Sequence, residues 1–289
     1  MATDATETVG FVGLGAIGAP LVESLLRADV AVVVYDLDAD AVGRMVEAGA
    51  AAATSIPDLA GRARLISVCV PADAHVRAVL DGPEGLLAHL APGAVIAIHS
   101  TVAPETTQWA ADAARAADVA VVEAAVTGGA AAASEGRSTF LLGGDPVAIE
   151  QLEPLLAACG DVRIHAGELG QASRLKLCIN LQSYVTFMGV NEAASLAKSL
   201  GLPLDALRTA MNANGQLGEL TRGYMSLHDM PAAAVSDPGM QQFLAGYAAI
   251  IEKDLGLIAE LAAAAGVPVP AAELAGENAR RVYFLEDSP

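Results

Sequence analysis

Short apolar runs rich in Val, Ile and Ala alternate with helical stretches over the first 166 residues. Segments 9–12, 30–35, 65–70, 94–98, 119–123, 139–142 and 162–165 have the length and composition of buried strands, and helical periodicity fills the gaps. Strands that alternate with helices predict a parallel doubly wound sheet, because parallel neighbours must be joined by crossovers long enough to hold a helix. Past Gly167 the β signals stop. Ala/Leu-rich helical segments take over at 172–200, 204–212, 241–265 and 271–283; Gly201 with Pro203 ends the first, and 266–270 separates the last two. The expected architecture is an α/β domain over 1–166 and an all-α C-terminal domain over 167–289, joined by a long inter-domain helix.

The first strand breaks into Gly13-x-Gly15-x-x-Gly18 and then into a helical pattern. Three spaced glycines alone say little, since the chain has 28. The strand before and the helix after give them meaning. Gly13 permits a tight turn, Gly15 lets the backbone approach a pyrophosphate, and Gly18 lets the helix pack on the sheet. Free N–H groups and the helix dipole favour negative charge at that helix start, so the first domain is read as a Rossmann dinucleotide-binding domain. Leu14, Ala16 and Ile17 complete the cofactor turn. Asp36 ends the second strand at roughly the 20-residue distance where a carboxylate meets the adenine ribose. A carboxylate accepts from the 2′- and 3′-hydroxyls and repels a 2′-phosphate, so the expected cofactor is NAD rather than NADP. Asp38 or Asp40 can cap the next helix, which leaves Asp36 for the ribose.

Charge narrows the partners. The chain has 34 acidic and 16 basic residues, a net charge of -18, and no basic stripe, which argues against nucleic acid. No uninterrupted apolar run reaches the length of a membrane span, and the polar, acidic start has neither a secretory nor a transit pattern. A cytoplasmic protein is expected. Cys69, Cys159 and Cys178 form no C-x-x-C pair, and inert thiols in a reducing compartment are expected. His75, His89, His99, His165 and His228 are scattered, so no metal site is expected.

Lysine is scarce: Lys176, Lys198 and Lys253 are the only ones. Lys176 lies near the start of the long helix, with Asn180 one turn later, so amine and amide share a helix face and can converge on a substrate oxygen. A lysine gives up its proton more readily in a desolvated site, where it can take an alcohol proton as hydride leaves. A solvated helix lysine would show the same spacing. The segment from Glu123 to Gly129 follows a strand at the carboxyl edge of the sheet, where open α/β folds bind ligands. Its small residues can turn N–H groups toward a carboxylate, with the Thr127 hydroxyl as a further donor. Ser100 and Thr101 also follow a strand, where hydroxyls serve equally well as helix caps.

Together these segments resemble the β-hydroxyacid dehydrogenase family, which includes 3-hydroxyisobutyrate dehydrogenase and tartronate semialdehyde reductase. Gly10 to Gly18 is similar to the family's opening motif, Ser100 to Pro104 to its Ser-Thr-x-x-Pro, and Ala124 to Gly129 to its Ala-Pro-Val-Ser-Gly-Gly loop. Gly167, Gly170, Lys176 and Asn180 match its Gly-x-x-Gly-x-x-x-x-x-Lys-x-x-x-Asn, and Lys253 to Leu257 its Lys-Asp-Leu-x-Leu. The resemblance implies a hydride-transferring oxidoreductase that interconverts a small anionic 3-hydroxy acid and its semialdehyde or keto acid. Lys176 would be the general acid/base, aided by Asn180. Thr127, Gly128 and Gly129 would bind the substrate carboxylate, and Thr101 would touch both substrate and nicotinamide. Val70, Pro71 and Lys253 would join the cofactor contacts, and the chain would form a homodimer or homotetramer. Thr127 stands where Ser is usual, Ala125 where Pro is, and Ile179 where Asn is frequent; the stretch from Asn212 to Tyr224 also lacks the aromatic residue many members carry before its end. These departures bear on the substrate more than on the reaction. An imine reductase of the same fold, or a non-catalytic NAD-binding protein, are the alternatives. Imine reductases generally lack the lysine and prefer NADP, so Lys176 and Asp36 speak against the first.

Overall fold

The computed structural model describes residues 8–285; the leading segment 1–7, read above for export signals, lies outside the described residues. The chain divides into two compact units, Met1–Lys176 and Leu177–Pro289. The division falls inside the helix Gln171–Ser199, a little beyond 166/167, where the strand signals end. Among the described residues, no helix is long and apolar enough to cross a membrane.

The first unit is built on eight strands: β1 (Val9–Val12), β2 (Val32–Tyr35), β3 (Ala51–Ala52), β4 (Leu65–Val68), β5 (Val95–Ile98), β6 (Ala120–Thr127), β7 (Ser138–Gly143) and β8 (Gly160–Gly167). They lie in the order β3-β2-β1-β4-β5-β6-β7-β8. Strands β1 to β6 are parallel, with Gly10 flanked by Val33 of β2 and Ile66 of β4. β1, β4 and β5 are buried at every position, as expected for strands covered on both faces. One apolar layer gathers Phe11, Leu21, Leu25, Phe140 and Leu142; the opposite one gathers Leu59, Ile66, Leu80, Ile96 and Ile98.

Three details differ from the sequence pattern. β3 has two alanines, too few for a periodic signal. β6 runs on through Thr127, past the expected end at Glu123, because β7 pairs along Glu123 to Thr127. That pairing is antiparallel, an exception to the parallel sheet. The 128–137 connection is too short for a crossover, which takes roughly a dozen residues or more.

The second unit is helical, with the remainder of Gln171–Ser199 followed by Leu204–Ala213, Glu219–Ser226, Pro238–Ala265, Pro270–Glu277 and Ala279–Val282. The expected 271–283 helix is thus two helices meeting at Asn278. Aromatic residues make up only 4% of the chain, yet they concentrate here. Phe187 stacks on Tyr224 at 4.6 Å, and Tyr224 meets Tyr283 edge-on at 5.8 Å. Such pairs are worth about 0.5–1.5 kcal/mol beyond their burial, useful in a unit whose helices are otherwise rich in small alanines.

Cys159 is buried and Cys69 half-buried, and burial pushes both thiols up to about 12. These two fit the expectation of inert thiols. Cys178 is exposed in this chain.

His99, just past β5, ties three strands. Its Nδ1 lies 2.8 Å from the Ala124 carbonyl and its Nε2 3.0 Å from the Ser67 hydroxyl. A carbonyl only accepts, so Nδ1 donates and Nε2 accepts from Ser67. The ring also stacks on Phe11. Burial pushes this imidazole down to about 4. In the unfolded chain it titrates near 6.5. Stability from this group is therefore unaffected above about pH 6.5 and falls between about 6.5 and 4, where only the unfolded state gains the proton. Denaturant unfolding at pH 7 and pH 5 should show His99→Gln losing about 2 kcal/mol less than the unaltered protein over that interval. Equal losses would mean that His99 is not the titrating group.

Candidate active site

The three glycines after β1 answer to different neighbours. Gly13 has φ +98°, and an added Cβ would lie 2.3 Å from the Cys69 carbonyl oxygen. At Gly18 the added atom would lie 1.9 Å from the Gly13 carbonyl oxygen. Both are demanded by the protein's own packing. Gly15 has no atom within 4 Å of its would-be Cβ and no left-handed φ. Among the described residues nothing crowds that position, and the open space suits a pyrophosphate that approaches the backbone. The helix Gly18–Arg27 begins with no side-chain cap, so its amide groups suit an anion.

Asp36 is fastened to this turn. Its Oδ2 accepts from the Leu14 N–H at 2.6 Å and its Oδ1 from the Asp38 N–H at 2.8 Å. The cap of the helix Ala39–Glu47 is Asp38, which accepts from the Asp40 N–H. Asp36 is therefore not spent on capping, and each of its oxygens retains a lone pair for a ribose hydroxyl. Ala16 is exposed and Ile17 half-buried, whereas the Leu14 side chain is in the core. These residues fit a dinucleotide.

The remaining positions of this unit fall on the same sheet edge. Val70 and Pro71 follow β4, and the Val70 N–H donates to Ser100 Oγ at 2.8 Å, coupling the ends of β4 and β5. Thr101 follows β5 and is half-buried. Thr127 ends β6, followed by Gly128 with φ +112° and Gly129 with φ +78°. Two successive left-handed residues turn the chain sharply into the helix Gly129–Ser134, a backbone shape that side chains other than glycine resist. The carboxyl ends of β1, β2, β4, β5 and β6 thus carry Gly13 to Gly18, Asp36, Val70, Pro71, Thr101 and Thr127 to Gly129. Ligands bind at that edge in open α/β sheets, near the point where strand order reverses, here between β1 and β4.

Lys176 is on the helix Gln171–Ser199, with only 8% of its surface exposed. Lysine is rarely buried so deeply without a partner. The start of this helix is held by Glu123, buried at 1% exposure in β6. Its Oε2 accepts from the Gly170 N–H at 2.8 Å and the Ala172 N–H at 3.1 Å. Its Oε1 accepts from the Ser173 N–H at 3.3 Å and the Ser173 hydroxyl at 2.5 Å, with the Thr107 hydroxyl 3.0 Å away.

Within the helical unit, Asn180 and Lys253 meet through one residue. Asp254, 1% exposed, accepts from Asn180 Nδ2 at 2.7 Å and the Tyr184 hydroxyl at 2.5 Å, and its other oxygen lies 2.9 Å from Lys253 Nζ. The bond fixes which end of the Asn180 amide donates. Burial and the Asp254 charge hold the proton on Tyr184. Sequence reasoning named Asn180 and Lys253 but gave no role to Asp254, Tyr184, Glu123 or His99. The available signals were an acid inside an apolar strand and an acid beside a scarce lysine. Among the described residues, no group of three or more His, Cys, Asp or Glu side chains is arranged to hold a metal ion.

A strand-glycine turn-helix element, a carboxylate tied to that turn and a buried lysine suit an NAD-binding oxidoreductase. Comparison with known proteins narrows this. Residues 8–168 match the family described as the NAD binding domain of 6-phosphogluconate dehydrogenase. An NAD-dependent L-serine dehydrogenase of Pseudomonas aeruginosa is 35% identical over 92% of this chain and 89% of its own length. Among solved structures, a 3-hydroxyisobutyrate dehydrogenase from Salmonella typhimurium superposes with a TM-score of 0.82 at 29% identity, covering 95% of this chain and 93% of that one. A Mycobacterium tuberculosis 3-hydroxyisobutyrate dehydrogenase with L-serine gives 0.77 at 25% identity, covering 96% and 94%. An imine reductase from Pseudomonas sp. shares the fold, with a TM-score of 0.66 at 20% identity, covering 97% and 94%. The chain belongs to the β-hydroxyacid dehydrogenase family, and its cofactor is NAD.

The glycines should separate by experiment. Gly18→Ala is expected to lower the thermal midpoint by several degrees, because backbone must shift. Gly15→Val is expected to keep the midpoint within about 2 °C, in the range of neutral surface changes, while NAD titration shows weakened binding. Unchanged NAD affinity in Gly15→Val would remove Gly15 from the cofactor turn.

Proposed function

We propose that this protein oxidises a small 3-hydroxy acid to its semialdehyde or keto acid, or runs the reverse reduction, with Lys176 as general acid/base. The observation that carries the reading is a lysine buried near the first turn of a helix whose start is locked to the sheet. NAD supplies the hydride acceptor. The neutral Lys176 amine takes the alcohol proton as the carbon–hydrogen bond breaks, and in reduction the ammonium returns it. Thr127, Gly128 and Gly129 receive the carboxylate, and Thr101 contacts substrate and nicotinamide. Asn180 is assigned to the substrate and Lys253 to the cofactor by the family resemblance.

L-serine and 3-hydroxyisobutyrate, named with the relatives, share a carboxylate on C1 and a primary hydroxyl on C3. They differ at C2, where one carries an amino group and the other a methyl. That common skeleton is the proposed substrate class. A cytoplasmic homodimer or homotetramer belongs to the same reading.

The decisive assay is initial-rate formation of reduced cofactor with NAD and with NADP, over L-serine, 3-hydroxyisobutyrate and related acids, beside Lys176→Ala. NAD is expected to be preferred, and the substitution to cost about 10²–10⁴-fold in turnover. A Lys176→Ala enzyme with full turnover would refute the assigned role. Reduction of cyclic imines without activity on hydroxy acids would favour the imine reductase alternative, and tight NAD binding without any turnover a non-catalytic one.

A further inference from the structure

We infer that Glu123 is a positioning residue for Lys176: it sets where the general acid/base stands by clamping the first turn of the helix that carries it. The inference rests on the role proposed above for Lys176.

Four donors from three residues, Gly170, Ala172 and Ser173, converge on the two oxygens of this one buried carboxylate. Ser173 lies one turn before Lys176, so a tilt or slide of that turn moves the lysine with it. The contact is closed from behind as well. A Cβ added at Gly143, the partner of Glu123 in β7, would lie 2.4 Å from Oε2, so glycine there leaves room for the carboxylate and little else. Glu123 also belongs to β6, which ends at Thr127. The same residue therefore references the helix bearing the proton-transfer group to the strand bearing the carboxylate loop, and the stretch of β6 between them is held by unbroken pairing with β7 from Glu123 to Thr127.

The ordinary alternative is a helix cap that serves stability alone. A cap satisfies orphan N–H groups and favours the helix dipole, and its loss would lower stability without acting through any particular side chain. Positioning differs in one measurable respect: it has no effect once the positioned group is gone.

The test is a double-mutant cycle on kcat at saturating NAD and substrate, with Glu123→Gln, Lys176→Ala and the pair, each checked for folding and for NAD affinity. Gln keeps the volume but puts an NH₂ where an acceptor is needed. Glu123→Gln is expected to lower kcat about 10²-fold, the cost of roughly an ångström of misplacement, with NAD affinity within about twofold, since the dinucleotide turn follows a different strand. In the Lys176→Ala background the same change is expected to cost less than about twofold, because interaction between the sites makes the effects non-additive. Should Glu123→Gln fail to fold, Ser173→Ala removes only the hydroxyl donor. It is expected to lower kcat several-fold with Lys176 present and not without it. An equal fold-loss in both backgrounds, or unaltered kcat in a folded variant, overturns the inference while leaving Lys176 as base. Full turnover in Lys176→Ala alone overturns the base assignment, and this inference with it.

Discussion

A carboxylate removed from water costs several kcal/mol unless hydrogen bonds replace its hydration. Glu123 meets that cost with three backbone N–H groups at one helix start and the hydroxyls of Ser173 and Thr107. The first N–H groups of a helix lack internal partners, and a buried helix start needs acceptors as much as a buried acid needs donors. Each deficit cancels the other, so the long helix Gln171–Ser199 can begin only where the acid stands. Shortening the acid or sliding the helix leaves both sides unsatisfied. This makes the junction of sheet and helix a fixed point rather than an adjustable contact.

The same economy runs along the carboxyl edge of the sheet. Side chains that accept from backbone tie the loops after β1 and β2, and those after β4 and β5, in pairs: Asp36 accepts from Leu14, Ser100 from Val70, and Asp73 from Ala103. His99 extends the pattern inward, donating to Ala124 while accepting from Ser67. Parallel strands bring these loops to one edge, and the cross-ties keep them there. The helix Gly18–Arg27 starts without a side-chain cap, and the chain turns through left-handed backbone at Gly128 and Gly129, both shapes that suit an anion. In the helical unit Asp254 plays a comparable part, gathering Asn180, Tyr184 and Lys253 around one buried carboxylate.

Local signals were legible where they follow from nearest neighbours in sequence. The glycine turn, the acid ending β2 and the lysine with Asn180 one turn later each show in a short window, and so do the strong apolar strands. Partnerships across long sequence separation did not show. Glu123 reads as the last residue of a strand until β7 pairs beside it and the helix start arrives from residues 170–173. Asp254 reads as half of a Lys-Asp pair until Asn180 reaches it. Cys178 sits among apolar residues yet is exposed, because helical rotation, not composition, decides which side faces inward.

The amino-acid order alone determined an α/β unit followed by helices, and a dinucleotide turn read for NAD, since period, turn chemistry and charge sign act over a few residues. Only the tertiary structure decided that β7 runs against β6, that two buried acids organise the lysine-bearing helix start and the Asn180–Lys253 cluster, and that a side-chain atom at Gly15 would meet no described residue. Those outcomes depend on connection length and on groups brought together from far apart in the chain. A buried charge or an unclaimed space has no signature until its surroundings are assembled.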